Sequence, residues 1–398
     1  MDAFGNPEAH FAELPVMQRR SPVRAVQPGP QVCSFRIAED RVRIVYIIAA
    51  LVPGGAEKQL LLLLENLDRS RYSAHVIAFA SGLWEDRFQS LGVPIEIIPY
   101  EQGKVAVIAR CWSRLRQLRP DIVHTYGTSA NYAGRAAAIA ARVPVVIAGE
   151  RTAPFIKSRW QLAVDRVMSP FTDLWIANSA HAAQFYSQRR IASESQVAVV
   201  YNGIDATVLR VAHRSNESPR IGTVAALRPE KNFGDLFRAM AAVVSRSPST
   251  TLHIGGDGPI RAELERETVE RGIGPNVVFH GWINRIGEFL TGMDMYVHTA
   301  HYEGFPNSVM EAMAAGLPCI AYATTGCQEL IRDQETGLLV PTGDWEAIAR
   351  AIVRILEAPG LASRLGHNAR AAIERDFSIP QMVQATSLLY EQALSRNV

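Results

Sequence analysis

Cysteine is scarce. The 398 residues hold four, Cys33, Cys111, Cys319 and Cys327, scattered without metal-ligand spacing. This excludes a disulfide framework or a zinc ribbon and reads as reduced thiols of a cytoplasmic protein. No Asp-x-Asp occurs, and no strand-to-helix turn carries Gly-x-Gly-x-x-Gly, which argues against a dinucleotide oxidoreductase. The most apolar run, 44–56, is broken by Pro53, Gly54 and Gly55 and is too short to span a bilayer. Residues 1–40 hold five prolines and no apolar run with a cleavage site, so they are read as a disordered extension and not as a signal peptide. Charge of either sign is in small excess. The net is +2, yet up to Asp205 there are 23 Lys and Arg against 18 Asp and Glu, giving +5, and the remainder has 18 against 21, giving −3. A basic first half suits an anionic acceptor or a membrane surface, and nothing points to nucleic acid.

What is present is an α/β pattern. Hydrophobic content of 48% with 20% charged residues is that of a globular chain, and the length suits two domains. Short apolar runs alternate with longer helical patterns. Candidate strands are 43–49, 75–79, 95–98, 122–125, 143–148, 174–177 and 197–201, then 220–224, 251–255, 277–281, 295–298, 318–321 and 337–340. Strands separated by helices mean parallel sheets, and two series mean two Rossmann-like domains, 41–205 and 206–377. The polar stretch 206–219 is the expected linker. A ligand then belongs in the cleft between domains, at the carboxyl ends of the strands.

The chemistry-bearing residues fall at those ends. In Glu303-Gly304-Phe305-Pro306-Asn307-Ser308-Val309-Met310-Glu311, Pro306 cannot sit deep in a helix, Asn307 or Ser308 can cap one, and Val309, Met310, Ala312 and Met313 recur at helical spacing. Glu303 then precedes a helix that carries Glu311, and both can approach one ligand at its N-terminus. The free N–H groups there favour a phosphate. The alternative is a solvent-facing pair. Arg228 and Lys231 leave another strand together, either to neutralise a diphosphate or as solvated surface cations. Gly255-Gly256-Asp257-Gly258 ends the next strand with residues that let a ligand close to the backbone.

The ordered series Gly54-Gly55-Ala56-Glu57, Arg228-x-x-Lys231, Gly255-Gly256-Asp257-Gly258-Pro259 and Glu303 through Glu311 resembles the GT4 family of retaining glycosyltransferases with the GT-B fold, over the chain from about Arg43 to its end. The resemblance implies a nucleotide-sugar donor held by the second domain and an acceptor held by the first. It implies Arg228, Lys231 and Glu303 as catalytic residues. Gly54, Gly55, Gly256, Gly304, Phe305, Pro306, Asn307, Ser308 and Glu311 would bind the donor, with Glu311 on the ribose hydroxyls and Glu303 on the sugar. The leaving diphosphate would be stabilised electrostatically, with no metal and no cofactor. A last helix, about 378–395, opened by Ser378-Ile379-Pro380, would cross back onto the first domain.

On the acceptor side His124 ends a strand, either facing the cleft or hydrogen-bonding within the structure. Many relatives place a histidine one strand later. Here Glu150 and Arg151 take that position, as in members that build bacterial polysaccharides and lipid-linked glycans from UDP-sugars. A helix is expected to start in Thr325-Gly326-Cys327-Gln328-Glu329 with Glu329 in its first turn. The basic stretches 104–119, with Trp112, and 157–166, with Trp160, suit either an anionic membrane surface or ordinary cover for a sheet. The resulting expectation is a UDP-sugar-dependent hexosyltransferase of bacterial glycan synthesis, cytoplasmic or at the inner face of the plasma membrane. A nucleotide-sugar sensor, or a GT-B phosphorylase or epimerase, stands as the alternative.

Overall fold

The computed structural model describes residues 41–100, 103–207 and 218–396; the extension 1–40 and the linker positions 208–217 lie outside them. Thirteen strands form, one in each expected run. β1 (Val42–Ile48), β2 (Tyr72–Ala78), β3 (Ile95–Ile97), β4 (Ile122–Tyr126), β5 (Val145–Glu150), β6 (Leu174–Ala177) and β7 (Val197–Val199) make a seven-stranded sheet in the order 3-2-1-4-5-6-7. β8 (Arg220–Val224), β9 (Thr251–Gly255), β10 (Val277–Gly281), β11 (Met295–His298), β12 (Cys319–Tyr322) and β13 (Leu338–Val340) make a six-stranded sheet in the order 10-9-8-11-12-13. Every ladder is parallel, with Ile44 opposite Ile122 in one sheet and Met295 opposite Ile221 in the other.

Burial on both faces drives this. Ile44, Tyr46 and Ile48 pack on one side of β1 and Val45 and Ile47 on the other, each under a layer of helices. The second sheet is covered likewise, by Leu236, Phe237 and Ile352 on one face and by Val309, Met313 and Ile373 on the other. Strand order reverses between β1 and β4 and between β8 and β11, so a crevice opens at the carboxyl ends of those four strands in each domain's half of the cleft.

The chain passes between domains at two adjacent points. Ile204 N–H donates to the Phe377 carbonyl at 3.0 Å, and Ile204 bridges Ser378. From there the helix Ile379–Arg396 packs onto the first domain, with Tyr390 fully buried against Tyr46 and His124 and Glu391 paired with Arg71 at 2.5 Å. Among the described residues no helix is long and apolar enough to cross a membrane.

Candidate active site

A cleft of about 590 Å³ lies between the two sheets. Its walls come from the loops after β1, β4, β5, β8 and β11, and from the start of the helix Asn307–Ala314.

The chain leaves β8 through Ala225 and Ala226 into a tight 3₁₀ turn, Pro229–Lys231, closed by Asn232 at φ 51°. That turn sets two cations at the cleft by different means. Lys231 Nζ is ion-paired with Glu303, and His298 Nε2 lies 3.3 Å from the same carboxylate oxygen. Burial raises the Glu303 pKa, but Lys231 and His298 outweigh it and hold the group at about 2. Glu303 is therefore an acceptor of hydrogen bonds at neutral pH and holds no proton to give. Arg228 is exposed, lines the cleft and makes no ion pair among the described residues. Gly256 sits at φ +127°, where a Cβ would lie 1.9 Å from the Ala225 carbonyl oxygen, so only glycine fits.

Pro306 occupies the N-cap of the helix Asn307–Ala314, and no side chain caps it. The expected caps act elsewhere. Asn307 reaches across the cleft, its Nδ2 donating to the Gly55 carbonyl at 3.2 Å and its Oδ1 accepting from Asn202 at 2.8 Å and Gln59 at 3.3 Å. Among the described residues the first-turn N–H groups of this helix have no acceptor, whereas on the facing helix Gly55–Asn66, whose N-cap Gly54 offers no side chain, the Glu57 carboxylate folds back over Gly54 and accepts from its own N–H. Two positive helix ends thus converge on one volume, an arrangement that favours an anion. The Phe305 ring is buried on Tyr201 and Phe377, so it anchors this loop at the cleft. Gly304 faces the backbone of Arg151 and Thr152 in the other domain; a Cβ there would come within 3.1 Å of Thr152.

Glu311 is buried on the helix's first turns and ion-paired with Lys58 of the first domain. A second clasp lies further along the same seam. The Glu329 carboxylate accepts from the N–H groups of Ala180 and His181, at 2.7 and 2.8 Å, at the start of the helix Ala180–Gln188. Burial raises its pKa, partly offset by those two donors. Glu329 is the fifth residue of the helix Thr325–Leu330, one turn later than expected, because the helix starts at Thr325 itself.

The first domain corrects two expectations. His124 does not face the cleft: it is 0% exposed, its Nδ1 lies 2.7 Å from the Tyr390 hydroxyl, and the tyrosine rings of Tyr46 and Tyr126 stack around it. The returning C-terminal helix covers that face of β4, which no local pattern announces. Burial, with Arg151 beside it, pushes the imidazole pKa well below its usual value, so it stays neutral. Glu150 is also 0% exposed, as the last residue of β5 and not part of the loop. It accepts from Lys157 at 2.5 Å, Thr152 at 2.9 Å and the Tyr186 hydroxyl. Lys157 in turn meets Asp165 at 3.1 Å, and Asp165 pairs with the fully buried Arg135. These two acids and two bases form a neutral buried lattice beneath the cleft floor. Burial opposes ionisation of Glu150, but Lys157 and the hydroxyls hold its pKa below the usual value.

Of the acceptor-side set only Arg151 lines the cleft, its guanidinium 4.6 Å from the Tyr126 ring centre. Beside it are Tyr126, Asn178 and Asn202, which the sequence reading missed. Asn178 is almost fully buried and its Oδ1 has no partner among the described residues. Lys58 and Asn202 carried usable signals, since one follows Gly54-Gly55-Ala56-Glu57 directly and the other opens Asn202-Gly203-Ile204-Asp205. Among the described residues no group of three His, Cys, Asp or Glu side chains is placed to hold a metal.

Two family models match end to end across this frame. Residues 53–208 match "Glycosyltransferase Family 4" and residues 206–372 match "Glycosyl transferases group 1". The chain belongs to the GT4 (group 1) glycosyltransferases. This glycosyltransferase is 29% identical over 335 residues to a GDP-mannose-dependent α-mannosyltransferase of Mycobacterium tuberculosis, covering 77% of this chain and 85% of that one. It is 22% identical to the UDP-Gal:α-D-GlcNAc-diphosphoundecaprenol α-1,3-galactosyltransferase of Escherichia coli, over 89% and 98% of the two chains. In structure it is similar to Anabaena HepE solved with UDP-glucose, with a TM-score of 0.80 at 23% identity, over 88% of this glycosyltransferase and all of HepE. The shared architecture is the GT-B fold.

Proposed function

We propose that this glycosyltransferase moves a hexose or N-acetylhexosamine from a nucleotide sugar, a UDP-sugar in the favoured reading, to a glycan or lipid-linked acceptor in bacterial polysaccharide or cell-envelope synthesis. The transfer retains anomeric configuration and needs no metal. The observation that carries this is the convergence of Arg228, Lys231 and two helix N-termini on one cleft. In the reaction the bond between the anomeric carbon and the β-phosphate oxygen breaks, and charge grows on the departing diphosphate. Arg228 and the open N–H groups meet that charge, and Lys231 shares itself between it and Glu303. The acceptor hydroxyl attacks from the face being vacated, and its proton passes to the leaving phosphate oxygen. Glu303, ionised throughout, accepts hydrogen bonds from donor-sugar hydroxyls. Glu311 takes the ribose hydroxyls in exchange for Lys58. The acceptor enters over Tyr126, Arg151 and Asn178, at the inner face of the plasma membrane.

HepE in complex with UDP-glucose favours the uridine reading, whereas the mannosyltransferase relative supports a second, GDP-mannose. Binding of a panel of UDP-, GDP- and ADP-sugars, followed by donor hydrolysis and transfer assays with and without EDTA, tests the whole. Hydrolysis of one donor class, undiminished by EDTA and giving an anomerically retained product by NMR, is the expected result. Tight donor binding with neither hydrolysis nor transfer would make the chain a sensor, and loss of activity in EDTA would remove metal independence.

A further inference from the structure

The helix Arg159–Met168 is built inside out. Its buried residue is Asp165, locked to Arg135 and Lys157, while Trp160, Ala163 and Val167 lie along the exposed side and Phe171 continues the stripe one turn on. Trp160 is 57% exposed, Val167 71% and Phe171 62%. Helical spacing normally carries apolar residues to the sheet. Here the buried lattice shares the inner face with Leu162, which packs on the core, and Trp160, Ala163 and Val167 are left outside.

A second stripe lies nearby, on a helix that shares the neighbour Thr128–Ala141 with the first. On the helix Lys104–Leu118 the inward residues are Val107, Cys111 and Leu115, and the outward ones include Val105, at 81% exposure, Ala109 and Trp112. The two stripes meet where Lys104 lies over the Trp160 ring, 5.8 Å from its centre. Five cations rim the surface: Lys104, Arg110, Arg116, Arg159 and Arg166 are all exposed. Among the described residues none of the five makes an ion pair. The helix Lys104–Leu118 contains no carboxylate, and between residues 151 and 190 the two present are Asp165, fully buried, and Asp173, which accepts from the Val146 N–H at 2.7 Å.

We propose that this face docks the glycosyltransferase on an anionic lipid bilayer. Large apolar side chains within a rim of cations match the boundary between acyl chains and negative headgroups. A second copy of the chain is a poor fit, because a twofold contact would set each cationic rim against its own copy. The face also adjoins the acceptor side of the cleft. Arg151 and Thr152 line the cleft, the turn Pro154–Ile156 follows, and the helix starts at Arg159. Docking would therefore bring a lipid-linked acceptor to the cleft, a consequence that rests on the function proposed above; docking itself does not.

The test is flotation of the full chain with vesicles of phosphatidylcholine alone and with phosphatidylglycerol added. Wild type is expected to float with the anionic vesicles alone, and less at high salt. The triple variant Trp160→Ser, Val167→Ser, Phe171→Ser should lose at least about tenfold in vesicle partition, and Arg159→Gln or Arg166→Gln about fivefold each. These residues are exposed, so UDP-sugar binding by the variants should match wild type, which separates a failed surface from a failed donor reading. Wild type left at the bottom with anionic vesicles overturns the proposal. So does a triple variant that floats equally well, or a wild-type dimer that the triple variant turns into a monomer in sedimentation.

Discussion

The two walls of the cleft use charge in opposite ways. The second domain leaves its charge available: Arg228 lacks an ion pair among the described residues, Lys231 is shared with Glu303, and the helix Asn307–Ala314 begins uncapped. The first domain spends its charge internally, in the closed lattice of Arg135, Asp165, Lys157 and Glu150. One wall is built to meet a charged guest, and the lattice of the other holds a loop in place, leaving Arg151 and the N-terminus of the helix Gly55–Asn66 to face the cleft. A charged residue at a strand end is thus no guide to function until its partners are known.

That contrast breaks most sharply at Lys157. Lys157→Met leaves two buried carboxylates with one base, and should lower unfolding free energy by about 3–5 kcal/mol in urea titration. Transfer by the fraction still folded should stay near wild type, and a normal urea midpoint would end the reading of Glu150 as structural. Lys231→Ala should strike catalysis first, cutting kcat by about 10²–10³-fold, and should also cost part of the stability that its pairing with Glu303 contributes. A kcat within a few-fold of wild type would remove the electrostatic role assigned to the second domain.

Acid unfolding sharpens the comparison next. Glu303 is held at about 2 in the folded state against an ordinary 4.5. Its contribution is therefore complete above about pH 4.5 and is lost as pH falls toward 2, up to about 3 kcal/mol. Glu303→Gln should flatten stability over that window, and an unchanged slope in pH-dependent denaturation would contradict the assignment. Smaller still, Asn178→Ala should raise the acceptor KM by roughly the tenfold expected of one hydrogen bond of about 1.4 kcal/mol, with donor Kd unaffected. A shift in donor Kd would move Asn178 to the other wall's function.

All thirteen strands were legible because each is short, apolar and bounded by turn residues. The second domain's cleft lining was legible for a related reason: its Arg, Lys, Glu and Gly residues lie within a few positions of the strand that carries them. What stayed hidden depends on distant partners. Glu311 meets Lys58 253 residues away, and His124 meets Tyr390 266 residues away. No local pattern reports that a C-terminal helix will cover β4, so His124 stood open between a cleft residue and an internal hydrogen-bonder until the fold chose the second. Asn307 read as a cap because its position suits one, but the neighbouring domain offered its amide better partners.

Gly304 carries one last consequence. It faces the Arg151 and Thr152 backbone so closely that an added Cβ would come within 3.1 Å of the other domain. The aperture of the cleft is accordingly gauged by the smallest residue available, and any side chain at 304 would act as a wedge. Even the methyl of Gly304→Ala would press on the opposite loop, which must give by a few tenths of an ångström, without removing a single group that lines the cleft.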